Sequence, residues 1–156
     1  MNKKLKVAFY FFIFAAFFFF DRLVKYLVIQ KLFLDGIKLF NFLNLNLVLN
    51  RGVSFGLFGS KINFWFMSLA ILIFLIILAL LVYTINRFKN NKNIFFEVMV
   101  LAGAMSNLLD RFIYNGVIDF IDFHISTYHW PTFNFADIFV FIGITGMFLM
   151  NLNRDN

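Results

Sequence analysis

The sequence predicts an all-α membrane protein with four transmembrane helices in a single domain, and three observations carry that prediction. Hydrophobic residues make up 62% of the 156 positions and charged residues only 14%, where soluble domains run near half apolar and about a quarter charged. Four apolar runs stand apart, at residues 7–28, 63–84, 94–110 and 135–152, each close to the roughly 20 residues a helix needs to cross the hydrocarbon core. The net charge of +6 is divided among the segments between and beside those runs. Lysines against anionic headgroups explain it, and no nucleic-acid partner is expected. There is no cysteine, which excludes disulfides, thiol nucleophiles and cysteine metal sites. The 27 phenylalanines read as apolar filler.

The first run follows Lys3, Lys4 and Lys6 and contains Ala15 and Ala16, a pattern shared with signal peptides. The alanines lie inside the run, however, and apolar residues resume through Leu23, Val24, Leu27 and Val28. A retained first helix is therefore expected. Asp21 and Lys25 are spaced i, i+4 in the favourable acid-first order, consistent with a local ion pair whose cations, Arg22 and Lys25, reach toward the headgroups.

Between the first two runs the character changes. Leu43–Asn50 reads LNLNLVLN, and period two over eight residues predicts a strand with leucines on one face and Asn44, Asn46 and Asn50 on the other. Asp35-Gly36 upstream is a turn signal. The strand leads into NRGVSFG, Asn50–Gly56, where Gly52 permits a left-handed backbone and the close approach of a ligand. Phe64–Tyr83 is interrupted by a single polar residue, Ser68, and is followed by NRFKNNKN. In the third run Gly103 and Ser106 suit close helix contact, and the run ends in Asn107, Asp110 and Arg111. The fourth begins near Phe135.

Four spans place both termini on one side. Lys and Arg number seven on each side, but those beside the termini and the second loop are packed into very short segments, where the positive-inside bias acts. Both termini are therefore expected in the cytoplasm.

The acidic stretch Val117–Asp137, with Asp119 and Asp137, then lies outside. Asp137 stands at the mouth of an apolar helix, and an ionisable group at membrane depth usually has a task. Asp21, Lys25, Asn50, Asn107, Asp110, Arg111, Asp119, Asn134 and Asp137 all gather at this outer end. Two carboxylates brought close cannot both ionise easily, so they share a proton. Such a pair can activate water and polarise a carbonyl, which is amide hydrolysis without metal or covalent intermediate. Each residue also has a plainer use. Asp110-Arg111 reads as an ion pair, Asn134 as a helix cap, and Asp137 as an acid suited to a helix N-terminus. Asp122 competes with Asp119 on spacing alone. His124 and His129 lack a third obvious ligand, so no metal is expected. Ser54 or Ser106 with Lys25 or Lys61 has no supporting spacing.

Five blocks in order, DRLVK (Asp21–Lys25), NRGVSFG (Asn50–Gly56), GAMSNLLDR (Gly103–Arg111), VIDF (Val117–Phe120) and FNFAD (Phe133–Asp137), resemble the lipoprotein signal peptidases (signal peptidase II). The resemblance implies four helices with a small extracytoplasmic β-cradle, into which LNLNLVLN fits. It implies that Asp119 and Asp137 are the catalytic pair, with Asp122 a bystander, and that Asn50, Gly52, Asn107, Asp110, Arg111, Asn134 and Ala136 support the site, with Asp21 and Lys25 in the first block. It also implies a cofactor-free aspartic peptidase of the bacterial inner membrane. The implied substrate is a prolipoprotein bearing diacylglycerol on its lipobox cysteine, cut before that cysteine, and the implied inhibitors are of the globomycin type. Two other classes use the same acids: a proton-coupled carrier, which lacks support from any inverted repeat, and a structural membrane subunit.

Overall fold

The computed structural model describes residues 2–31, 36–52 and 62–152. Four helices, α1 (Lys3–Lys31), α2 (Ile62–Lys89), α3 (Phe95–Tyr114) and α4 (Phe135–Leu152), are joined by a four-stranded antiparallel sheet in the order β1-β2-β3-β4. The strands are β1 (Ile37–Phe40), β2 (Leu43–Asn50), β3 (Val117–Ile125) and β4 (Tyr128–His129). The first three helices extend beyond the apolar runs at one or both ends, because flanking polar residues continue a helix once its interior is packed.

α3 is the inner helix. It packs against α1, α2 and α4, and between Glu97 and Asp110 it carries more buried residues than any other helix. Small residues permit the contact with α4: a Cβ on Gly103 would stand 2.5 Å from the Ala136 carbonyl oxygen. α2 faces outward, with Ile71, Leu72, Leu75 and Ile76 exposed. An apolar exterior of this kind belongs in lipid. α1 and residues 66–89 of α2 are long and apolar enough to cross a bilayer, and α4 carries a shorter apolar stretch.

The sheet closes one end of the bundle. Leu43, Leu45 and Leu47 pack with Phe133 and Phe135 on a cluster of Val28, Ile118, Phe120 and Ile121, so three of the four alternating leucines of β2 face a core, while Leu49 is exposed. Between Asp119 and α4 the chain forms the β3–β4 hairpin with a return bridge, Ile121 to Phe133. The ladder is irregular at Asp119. Leu45 lies opposite Ile121 but Val48 lies opposite Asp119, and the N–H groups of Phe120 and Ile121 both donate to the Phe133 carbonyl, at 3.1 and 2.8 Å. A bulge locally re-aims side chains, here beside the residue of interest.

Candidate active site

The site grows from a buried polar scaffold. Lys25 is fully buried, and its ammonium reaches Asp21 Oδ2 at 2.8 Å, Asp110 Oδ2 at 2.7 Å and Asn107 Oδ1 at 2.7 Å. Three acceptors use all three donors of a lysine. Asp21 also accepts the Ser106 hydroxyl at 2.6 Å and the Ala136 N–H at 2.9 Å, at the first turn of α4 where a carboxylate is favoured. Asp110 pairs with Arg22 as well and accepts the Ile118 N–H at 3.3 Å. Two acids and two cations thus balance in one cluster that pins α1, α3, α4 and β3 together.

Asn107 connects this scaffold to the acid pair. Its Oδ1 takes Lys25 and the Asn134 amide (3.1 Å), and its Nδ2 donates to Asp137 Oδ1 at 2.8 Å. Asn134 caps α4 reciprocally with Asp137. Its Oδ1 accepts the Asp137 N–H at 2.9 Å, while Asp137 Oδ2 accepts the Asn134 N–H at 3.1 Å, the capping-box arrangement. The Asn134 amide then donates to Asp119 Oδ1 at 2.7 Å, and Asn50 donates to Asp119 Oδ2 at 2.8 Å. Asn50 is itself fixed by the N–H of Gly52 at 2.8 Å, and Gly52 takes the left-handed φ of 69°. All four carboxylate oxygens are therefore oriented, and one asparagine stands between the two acids. Burial lifts the Asp119 carboxyl to about 6; the Asn50 hydrogen bond opposes this and the charge of Asp137 adds to it. A carboxyl titrating there can both hold and release a proton near neutrality.

Asp122 belongs to a different cluster. It accepts from Asn44 (3.3 Å), Asn46 (2.8 Å) and His129 Nδ1 (2.7 Å), and the His129 ring stacks on His124. Of the three strand amides, then, only Asn50 serves Asp119. A hollow of about 720 Å³ at the hairpin tip, among Phe42, Phe123, Tyr128 and Trp130, includes neither Asp119 nor Asp137.

Two sequence expectations are overturned. Lys25 does not reach for headgroups, because three buried acceptors satisfy it. Asp110 does not pair with Arg111: its partners are Arg22 and Lys25, and Arg111 instead donates to the Asn107 carbonyl at 3.0 Å, within the fields of Asp137 and Asp119. Arg22 was overlooked as a partner of the cluster. Its i, i+3 spacing to Lys25 puts two cations on one helix face, which requires two acids. Ser54, Lys61 and the turn residue Asp35 lie outside the described residues, as does Val53–Gly56 of the second block.

Residues 13–153 match the family model of signal peptidase (SPase) II. The lipoprotein signal peptidase of Thermodesulfovibrio yellowstonii is 44% identical over 86% of this chain and 88% of its own. That of Pelagibacter ubique is 37% identical over 89% and 84%. A bacterial membrane enzyme solved by the in meso method at 1.9 Å superposes with a TM-score of 0.73 at 27% identity, covering 96% of each chain. A second, at 2.3 Å, gives 0.71 at 27% identity over 96% and 91%. With almost its whole length matched, the chain belongs to the signal peptidase II family.

Proposed function

We propose that this chain is an aspartic endopeptidase that removes the signal peptide from diacylglyceryl-modified prolipoproteins, cutting just before the lipidated cysteine. The observation that carries this reading is Asn134, which holds Asp119 by its amide and Asp137 through the reciprocal cap. Membership of the family supports the substrate. One carboxylate of the pair takes a proton from water as the oxygen attacks the scissile carbonyl carbon. The other, protonated, gives its proton to the carbonyl oxygen. On collapse of the tetrahedral diol the second carboxylate takes a proton back from a diol hydroxyl as the C=O bond reforms. The first gives its proton to the departing nitrogen as the C–N bond breaks, and the pair, which holds one proton throughout, is restored. Asn50, Gly52, Asn107, Asn134 and Ala136 position the acids, directly or through backbone contacts. Asp21, Lys25 and Asp110 hold the strand and the helix that carry them, and Arg111 supplies a nearby positive field.

In this reading all four helices span the bilayer of a bacterial inner membrane as one domain, residues 1–156, with the sheet as a β-cradle at the outer surface and both termini cytoplasmic. α3 crosses at the centre of the bundle, and α4, shorter than α1 and α2, packs along it. Globomycin-type peptides are expected inhibitors.

Purified protein incubated with lipidated and unlipidated forms of one prolipoprotein tests the activity. The lipidated form should yield a product whose N-terminal residue is the modified cysteine. No cleavage, or equal cleavage of the unlipidated form, contradicts the proposal. Orientation is tested by labelling, since the chain has no native thiol: Asn91→Cys should react only from the cytoplasm and Ser126→Cys only from outside.

A further inference from the structure

At the opposite end of the bundle from the acids, α1 and α2 leave a groove floored by α3. It encloses about 390 Å³ and is lined by apolar side chains, among them Phe11, Phe14, Leu81, Ile85, Leu101 and Met105. Thr84 also lines it, but its hydroxyl is committed to the Leu80 carbonyl at 2.7 Å, so the wall offers no free donor there. Two smaller hollows of about 160 and 240 Å³ adjoin it through Phe88 and Tyr10, and Lys3, Lys6, Lys89 and Lys92 line them with Asn91 and Asn93. None of these four lysines has a carboxylate partner among the described residues. Glu97, the acid at this end among those residues, is buried and bound to Arg87 at 2.6 Å.

An apolar slot open to the hydrocarbon with a cationic mouth at the interface is complementary to one chemistry. We propose that this groove holds a single anionic phospholipid, with an acyl chain along α1 and α2 and the phosphate among Lys3, Lys6, Lys89 and Lys92. A signal peptide is the other apolar molecule this protein meets. Its amino-terminal segment is basic, so four lysines repel it, whereas each favours an anionic headgroup. Lys6 and Lys25 are separated along α1 by roughly 28 Å at the helical rise, so the phosphate lies far from the acid pair.

Native mass spectrometry of the full-length protein, supplied in micelles with palmitoyl-oleoyl phosphatidylglycerol or with phosphatidylcholine of the same chains, tests this. One phosphatidylglycerol per protein should be retained, at least about tenfold over phosphatidylcholine. The Lys6→Gln, Lys89→Gln, Lys92→Gln triple variant should lose that preference. Leu81→Trp, which fills the slot, should lower retention of both lipids. Equal retention of the two lipids by the parent, a comparison that needs no variant to fold, overturns the proposal. So does undiminished phosphatidylglycerol on the triple variant. A photo-crosslinker at residue 81 that captures a prolipoprotein signal peptide in place of lipid would also overturn it.

Discussion

Asp119 and Asp122 sit three residues apart on β3, 2% and 3% exposed, and both accept asparagine amides, yet they titrate in opposite directions. Burial raises Asp119 to about 6, the Asn50 bond opposes that, and Asp137 lies close enough to reinforce it. Asp122 is held below the ordinary carboxylate value. Burial works against that, but the hydrogen bonds from His129 and Asn44 and the fields of both imidazoles outweigh it. Burial alone therefore does not make a proton-trading acid. Burial, with a neighbouring carboxylate adding to it, prepares one to keep its proton, while an imidazole and amide donors fix the other as an anion.

The widest way to break this contrast is to remove each charge at constant shape. Asp119→Asn should lower the rate of prolipoprotein cleavage on the order of 10²–10⁴-fold, with the protein still folded. Asp122→Asn should stay within about threefold of the parent, because it exchanges one hydrogen-bonding group for another outside the pair. Comparable losses at both positions would erase the distinction.

A second change reaches the scaffold under the pair. Asp110→Asn leaves Arg22 and Lys25 sharing the single charge of Asp21, and it should destabilise the fold by about 3–5 kcal/mol. The amount of folded protein and its melting temperature in detergent report this. A melting temperature equal to the parent's would show that the cluster is not holding the helices.

The smallest effect is in pH dependence. The folded Asp119 value of about 6 lies above the ordinary 3.8, so the folded state holds a proton that the unfolded chain has released. Its contribution to stability is complete below about pH 4 and lost as pH rises to about 6, by about 3 kcal/mol. The melting temperature of the parent should fall over that interval, and Asp119→Asn should flatten the fall. In kcat/KM the same group should give an alkaline limb near pH 6, as the pair loses its shared proton. A profile level from pH 5 to 8 would contradict that.

Much of this was legible in the sequence. The apolar runs locate all four helices because hydropathy and length are local properties, and LNLNLVLN announces β2 by its period. Asn134 and Asp137 are spaced as a cap and its N3 partner, which three residues are enough to show. What spacing could not reveal was contact between distant segments. Lys25 looked like an interfacial lysine because Asp110 and Asn107, 85 and 82 positions away, meet it only after α1 and α3 pack. Asp110 was assigned to its chain neighbour Arg111 for the same reason. Nor could alternation show that Asn44 and Asn46 serve Asp122 while Asn50 serves Asp119, since the register shift between Leu45 and Val48 arises in strand pairing. The β3–β4 hairpin was missed because its aromatic and histidine residues carry no strong turn signal.

The central claim is that Asp119 and Asp137 act as one unit, and a double-mutant cycle tests it most directly. Cleavage of a lipidated precursor would be measured for Asp119→Asn, Asp137→Asn and the double variant, each shown to be folded by its melting temperature in detergent. Either single change should lower the rate about as far as both together, because a pair that needs one shared proton is disabled by losing either member. Single losses that multiply in the double variant, or a folded single variant cutting at near the parent rate, would contradict it.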